Sequence, residues 1–266
     1  MKYSLLFMLP ILTQGFMSTP VPSHKLSCLR MSMMEEFTSL KEDLLQTVQS
    51  STKPSLNTVT SLVDQLEQQA ELVGVGQASS SSGLLNGTWE CIYAPQDLTR
   101  CSPFFWAFAR AVDQSKEIYD ITDSIPAPLK EIGPAMQDID LEKKTLVSKV
   151  KVATFGLATS IMTTRCNVLR EEGLDRLRLK VSSTKPEEST VLKKLGPLGD
   201  LLDQQILKPF PSGEALEQVR EGSSEVIMCT TFCDESLRIS RNADAFNEVF
   251  VWVRKDFGEN SMSMEF

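Results

Sequence analysis

The chain has 266 residues, 41% hydrophobic and 23% charged, enough for one large domain or two small ones. Its 27 basic residues are outnumbered by 35 acidic ones, for a formal net charge of -8. No basic run is longer than a pair such as Lys193-Lys194, which argues against nucleic-acid binding, since a phosphate-binding surface needs clustered Lys and Arg.

At the N-terminus, Lys2 precedes the apolar run Leu5 to Leu12 and then Thr13-Gln14-Gly15. Residues 1–15 therefore have the charge, apolar core and small-residue end of a secretory signal. The run is too short to span a bilayer; its other reading is a buried N-terminal strand. Residues 16–34 are rich in Ser, Thr, Pro and Met, hold Lys25 and Arg30, and contain no acidic residue, as organelle transit segments do. Without residues 1–34 the net charge is about -11. A signal-like segment running into a transit-like one resembles the two-part presequence of algae whose plastids lie inside the secretory system. Phe16, just after Gly15, stands where those presequences often carry Phe. The resemblance implies a plastid protein of an alga with a secondary plastid.

Residues 35–76 read as a helical segment. Phe37, Leu40, Leu44, Leu45 and Val48 recur at helical spacing, and Leu56, Val59, Leu62, Val63, Leu66, Ala70 and Val73 repeat the pattern after Lys53-Pro54-Ser55. Ser55 is placed to cap the second helix, and Gly74 and Gly76 to stop it. The stripe packs on the following domain or within a helical pair; Glu67 and Glu71 on the polar face disfavour adsorption to an anionic bilayer.

Residues 77–83 form a Ser-rich hinge, and the period then changes from helical to two. In the first strand Trp89, Cys91 and Tyr93 share a face opposite Thr88, Glu90 and Ile92. Further strands are expected over Leu146 to Val152, Ser160 to Leu169, Arg176 to Val181, Val226 to Thr231, Leu237 to Ser240 and Val249 to Arg254. Leu177, Leu179 and Val181 alternate with Arg178, Lys180 and Ser182, the pattern of an antiparallel sheet with one wet face. Long connections interrupt the strands. One packs Phe104, Phe105, Trp106 and Phe108 together, one is punctuated by Pro126, Pro128 and Pro134, and Lys185 to Ser224 is an insertion holding a short amphipathic helix. That insertion carries Leu198, Leu201, Leu202 and Ile206. Six to eight antiparallel strands without a regular supply of covering helices leave a sandwich or a sheet closed on itself. Residues 258–266 form a flexible tail.

Enzyme chemistry finds little support. The one histidine, His24, lies in the expected presequence, which excludes Ser-His-Asp and Cys-His catalysis and the common His-containing zinc sites in the mature chain. Asp120, Asp123, Asp138 and Asp140 read as solvated turn residues. Gly74 to Gly76 ends a helix rather than opening one, so it is no dinucleotide fingerprint. Five cysteines beyond Cys28, with no C-x-x-C spacing, fit a reducing compartment. Cys229 and Cys233 would share a face of an unbroken strand, as small buried side chains. Asn86-Gly87-Thr88 fits a glycosylation sequon that a plastid interior would leave unmodified.

Gly87-Thr88-Trp89 resembles the G-x-W opening of lipocalins. Ile132-Gly133-Pro134-Ala135-Met136-Gln137-Asp138-Ile139-Asp140 and Thr231-Phe232-Cys233-Asp234-Glu235-Ser236-Leu237-Arg238-Ile239-Ser240-Arg241 resemble segments of the plastid lipid-associated protein family, the plastid fibrillins. That family opens with Leu-x-Gly-x-Trp, here Leu85 to Trp89. Its closing segment has Tyr-Leu where this chain has Phe232-Cys233, and often Gly where this chain has Asn242, which puts the turn after Arg241 in question. The resemblance spans about Met34 to Phe257. It implies a mainly β fold with N-terminal helices, in which residues 84–257 form a lipocalin-like antiparallel β-barrel of about eight strands. It implies no enzyme activity, no cofactor beyond a non-covalent lipid or isoprenoid ligand, and a stromal site at thylakoids or plastoglobules. The implied function is binding, carriage or organisation of hydrophobic small molecules such as quinones, carotenoids or acyl lipids. A structural role in plastid lipid bodies or photosynthetic membranes, acting through the outer surface, is the alternative. In similar barrels an Arg of the last strands stacks over the opening Trp, which makes Trp89 with Arg238 or Arg241 the expected closure pair. Candidate ligand or membrane contacts are Tyr93, Phe104, Phe105, Trp106, Phe108, Val249, Val251 and Val253. In the last strand either Val249, Val251 and Val253 or Phe250, Trp252 and Arg254 face inward, the valines suiting an apolar lumen. The Phe104 to Phe108 cluster lines a mouth, touches a membrane, or folds back as a plug.

Overall fold

A computed structural model describes residues 23–50, 52–77, 80, 83–123, 130–154, 158–190, 196–197 and 208–255. The signal-like segment, the tail and Leu198 to Ile206 lie outside the described residues, as does part of the Ser-rich hinge.

Two helices open the fold, α1 (Ser23–Val48) and α2 (Leu56–Val73). α1 begins within the stretch read as transit-like, and its Met33 carbonyl accepts from Gln69 Nε2 of α2 at 3.0 Å. Ser55 caps α2 by accepting from the Thr58 N–H at 3.2 Å. Gly74 ends it at φ +73°, a left-handed conformation that glycine adopts without a Cβ clash. The apolar stripe Val59, Val63, Leu66 and Ala70 is buried, as are Phe37, Leu44 and Val48 of α1.

Eight strands follow: β1 (Gly87–Tyr93), β2 (Lys130–Asp140), β3 (Thr145–Thr154), β4 (Ala158–Glu172), β5 (Arg176–Glu187), β6 (Glu225–Cys233), β7 (Leu237–Asn242) and β8 (Ala245–Arg254). Each pairs antiparallel with the next, and β8 pairs with β1, so every strand has two neighbours. β2 falls where the sequence reads as a proline-punctuated connection. Pro134 has no N–H for a ladder, and it sits in the register shift between Ile132 and Ala135 where none is required. Asp138 is thus a strand residue, paired with Lys149 at 2.8 Å, rather than a turn residue. β5 continues to Glu187, past the expected start of the insertion at Lys185.

Three shorter α-helices interrupt the sheet among the described residues: α3 (Pro103–Ala111), α4 (Ser115–Asp123) and α5 (Ser212–Val219). The aromatic cluster expected in a loop therefore lies on a helix. Pro103 at its first turn loses no intrahelical bond, and Ala107, Ala109 and Ala111 favour its propagation.

Two apolar clusters flank the sheet. The inner one gathers Trp89, Cys91, Leu146, Leu177, Leu179, Val181, Phe250 and Trp252 with Trp106 of α3. The outer one places Tyr93, Phe232, Leu237, Ile239, Val249 and Val251 against α1 and α2. With apolar material on both faces, all six residues of β7 are buried, its two arginines included.

Candidate functional site

The opening Trp89 is buried on the inner face, with its indole N–H donating to the Leu85 carbonyl at 3.0 Å. Two guanidinium groups lie against its ring. Arg254 is 4.2 Å from the centroid and Arg238 is 5.2 Å away, with Arg238 also 4.3 Å from the Trp252 ring. Arg254 donates to the carbonyls of Glu235 and Asn86, both at 2.6 Å, and of Leu84. It thereby ties the end of β8 to the segment entering β1 and to the β6–β7 turn. Arg238 is fully buried, and its Nη2 donates to Gln137 Oε1 at 2.7 Å. Burial disfavours its charge and brings its pKa down to about 10, so it remains a cation at neutral pH. Arg241 is not part of this stack. Its side chain points outward, where Nη2 donates to both carboxylate oxygens of Glu67 on α2 at 3.0 and 3.1 Å. The physical reason is alternation: Arg238 and Arg241 are three apart on one strand and project from opposite faces.

Sequence reasoning missed the role of Arg254, naming it only as one alternate of the last strand. The signal that identifies it is register, since Arg254 pairs directly with Trp89 across β8 and β1.

The expected contact residues divide between the two faces. Trp106 is buried on the inner face, 5.8 Å from the Phe250 ring, with its N–H on the Arg100 carbonyl at 2.7 Å. Phe104 and Phe108 pack half-buried on the same cluster. Phe105 is half-buried 5.9 Å from the Tyr119 ring, and the Arg100 guanidinium lies 3.8 Å over that ring. The aromatic helix thus folds back onto the inner face.

Val249, Val251 and Tyr93, by contrast, face α1 and α2. Val253, on the same alternate of β8, cannot line the inner face either. Phe250 and Trp252 take the inner face, which inverts the assignment that suited an apolar lumen. Tyr93 parts from Trp89 and Cys91 because the ladder shifts register between Cys91 and Tyr93, turning the strand over. Another shift, between Thr230 and Phe232, separates Cys229 from Cys233, and of the two only Cys233 joins the inner cluster.

On the rim, a solvent-open hollow of about 400 Å³ lies between α3 and the β7–β8 turn, lined in part by Trp106, Arg110, Arg220 and Asp244. Two ion pairs form there, Arg110 with Asp244 at 3.1 Å and Arg220 with Asp113. Asn242, at the position often Gly in the plastid family, closes that turn by accepting from the Asp244 N–H at 3.2 Å.

Residues 38–253 match the PAP_fibrillin family model, a span that runs from within α1 through α2 and β1 to Val253 near the end of β8. The chain belongs to the plastid lipid-associated protein (fibrillin) family. No curated protein and no solved structure matches it. Fibrillins are non-catalytic structural or lipid-binding proteins, and association with hydrophobic molecules is their general property. In this fibrillin the described residues hold no group of three or more His, Cys, Asp or Glu arranged for a metal ion. No described helix is long and apolar enough to cross a membrane.

Proposed function

We propose that this fibrillin binds, carries or organises hydrophobic molecules, of the quinone, carotenoid or acyl-lipid kind, on the inner face of a lipocalin-like barrel. The observation that carries this reading is the β8–β1 pairing around one continuous apolar cluster, with the Trp89 stack at one end. The other end is met by α3, a helix held by side-chain packing rather than by strand pairing. In this reading Trp89 with Arg238 and Arg254 closes the structure, and Phe104, Trp106 and Phe108 meet the ligand. Burial of apolar surface, about 25 cal/mol per Å² before ordering costs, supplies the affinity. Residues 1–34 serve as the bipartite targeting segment, and the site of action is the stromal side of thylakoids or plastoglobules.

A second reading has a specific observation in its favour. Trp106 already packs on Phe250 inside the sheet, as a structural protein acting through its outer surface would require. Extraction of the native protein from its plastid, followed by mass spectrometry, separates the two. A stoichiometric hydrophobic molecule is expected; a repeatedly empty protein would favour the outer-surface role.

A further inference from the structure

One rung of the inner face is polar where its surroundings are apolar. Trp89 pairs with Gln137, Gln137 with Ser148, Ser148 with Thr164, and Thr164 with Thr184, so the rung crosses five neighbouring strands. After Trp89 every residue on it is polar, and all are buried. Ser148 lies between Leu146 and Val150 of the inner cluster on β3, and Thr164 shares the alternate of Cys166 on β4, which fixes both as inward-facing. At one end Thr164 bonds Thr184 at 3.3 Å and Thr184 bonds Ser212 of α5 at 3.0 Å. At the other, Gln137 accepts from Arg238 and donates to the Cys101 carbonyl at 3.0 Å.

Three atoms of this network have no partner: Ser148 Oγ, Arg238 Nε and Arg238 Nη1. A buried group left unsatisfied forfeits its hydration without a replacement bond, and the loss is greater when the group is charged. Charge sharpens the point. Among the described residues no carboxylate forms an ion pair with Arg238, and the ionisable groups near it include the thiols of Cys233, Cys91 and Cys101 and a second cation, Arg254. Burial pushes the Cys233 thiol up to about 11 and the Cys101 thiol well above its ordinary value, so neither supplies a thiolate at neutral pH. A fully buried cation without a counter-ion is among the costliest arrangements in a protein interior.

We propose that the inner face takes the carboxylate of a long-chain amphiphile, with Arg238 as its counter-ion and Ser148 as a second hydrogen-bond donor. This rests on the binding function proposed above and names its ligand class. One cation balances one negative charge. A phosphate monoester carries about -1.5 to -2 at neutral pH and would leave net negative charge buried. The acyl chain lies along the apolar inner cluster toward α3, the element that yields to admit it.

The test uses the full chain stripped of lipid, with emission from the buried Trp89, Trp106 and Trp252 as readout. It is titrated separately with oleate, methyl oleate and oleyl phosphate. Oleate is expected to bind at one per chain, about tenfold or more tighter than methyl oleate, because the ester loses the charge-assisted bonds. Ser148→Ala, a small change at a site with no existing partner, is expected to weaken oleate by about threefold or more and leave methyl oleate unchanged. Arg238→Met should abolish the discrimination if it folds; the wild-type comparison and Ser148→Ala decide the matter if it does not. Equal binding of oleate and methyl oleate overturns the carboxylate site while leaving the binding function intact. Tighter binding of oleyl phosphate also overturns it. Binding of none of the three overturns both.

Discussion

Two arginines lie against Trp89, and they meet opposite surroundings. Arg254 is surrounded by carbonyls and acts as a clasp; Arg238 is enclosed by rings and thiols, with donors to spare. The sequence identifies Trp89 and one arginine of the closing segment, because a G-x-W opening and a Leu-Arg-Ile-Ser-Arg ending are local strings. It does not separate Arg238 from Arg241, since that depends on which face of β7 turns inward. A third charged contact lies at the β6–β7 turn, where Lys41 of α1 bonds Asp234 and donates to Ser236 Oγ at 2.8 Å. Burial pushes the Asp234 carboxyl up, but Lys41 and the backbone N–H groups of Ser236 and Leu237 outweigh it, and the net shift is downward. A depressed carboxyl pKa contributes stability above its unfolded value and loses it as pH falls through the folded one. Lys41→Met is therefore expected to cost about 1 kcal/mol near neutral pH, with the two stability curves converging in acid. Urea denaturation across pH checks this, and a constant offset at every pH would contradict it.

At the scale of elements, close backbone approach decides where the helices dock. α2 was legible from Ser55, Gly74 and the spacing of Val59, Val63, Leu66 and Ala70, all of them local signals. The docking of α5 was not. Its second residue, Gly213, lies so near β5 that a Cβ there would meet the Val181 carbonyl oxygen at 2.0 Å. The Phe210–Thr184 bridge holds the preceding chain on the same strand. Gly213→Ala must therefore push α5 off β5, at an expected cost of about 1–3 kcal/mol. Hydrogen exchange should show loss of protection at Val181, whose N–H bonds the Ser224 carbonyl beside α5. Unchanged protection and stability would show that the helix can shift without cost. α3 was missed as a helix because four aromatics in six residues hide an ordinary helical stretch behind an unusual composition.

The whole molecule is a sheet with apolar material on both faces: α3 and the aromatic cluster inside, α1 and α2 outside. One consequence concerns the cysteines. Cys91, Cys101, Cys166, Cys229 and Cys233 are free and buried, and burial pushes Cys166 up to about 12. A thiol reagent attacks the thiolate, so these five are expected to react only as fast as the native structure opens. Labelling followed by mass spectrometry should find them unmodified in native protein and fully modified in denaturant. Rapid native labelling of any of the five would show that its part of the sheet opens readily.

By itself the sequence determined the strand-rich character, the capped helix α2 and the family. Each of these rests on residue identity and short-range spacing. Only the tertiary structure decided which face is inner. The shift between Cys91 and Tyr93 turns Tyr93 outward. The pairing of β8 with β1 and β7 puts Phe250 and Trp252, not Val249 and Val251, on the inner cluster. Period two marks two faces without saying which is which, and a single extra residue in a ladder exchanges them. That choice is settled by what packs on each side, and here both sides offer apolar partners.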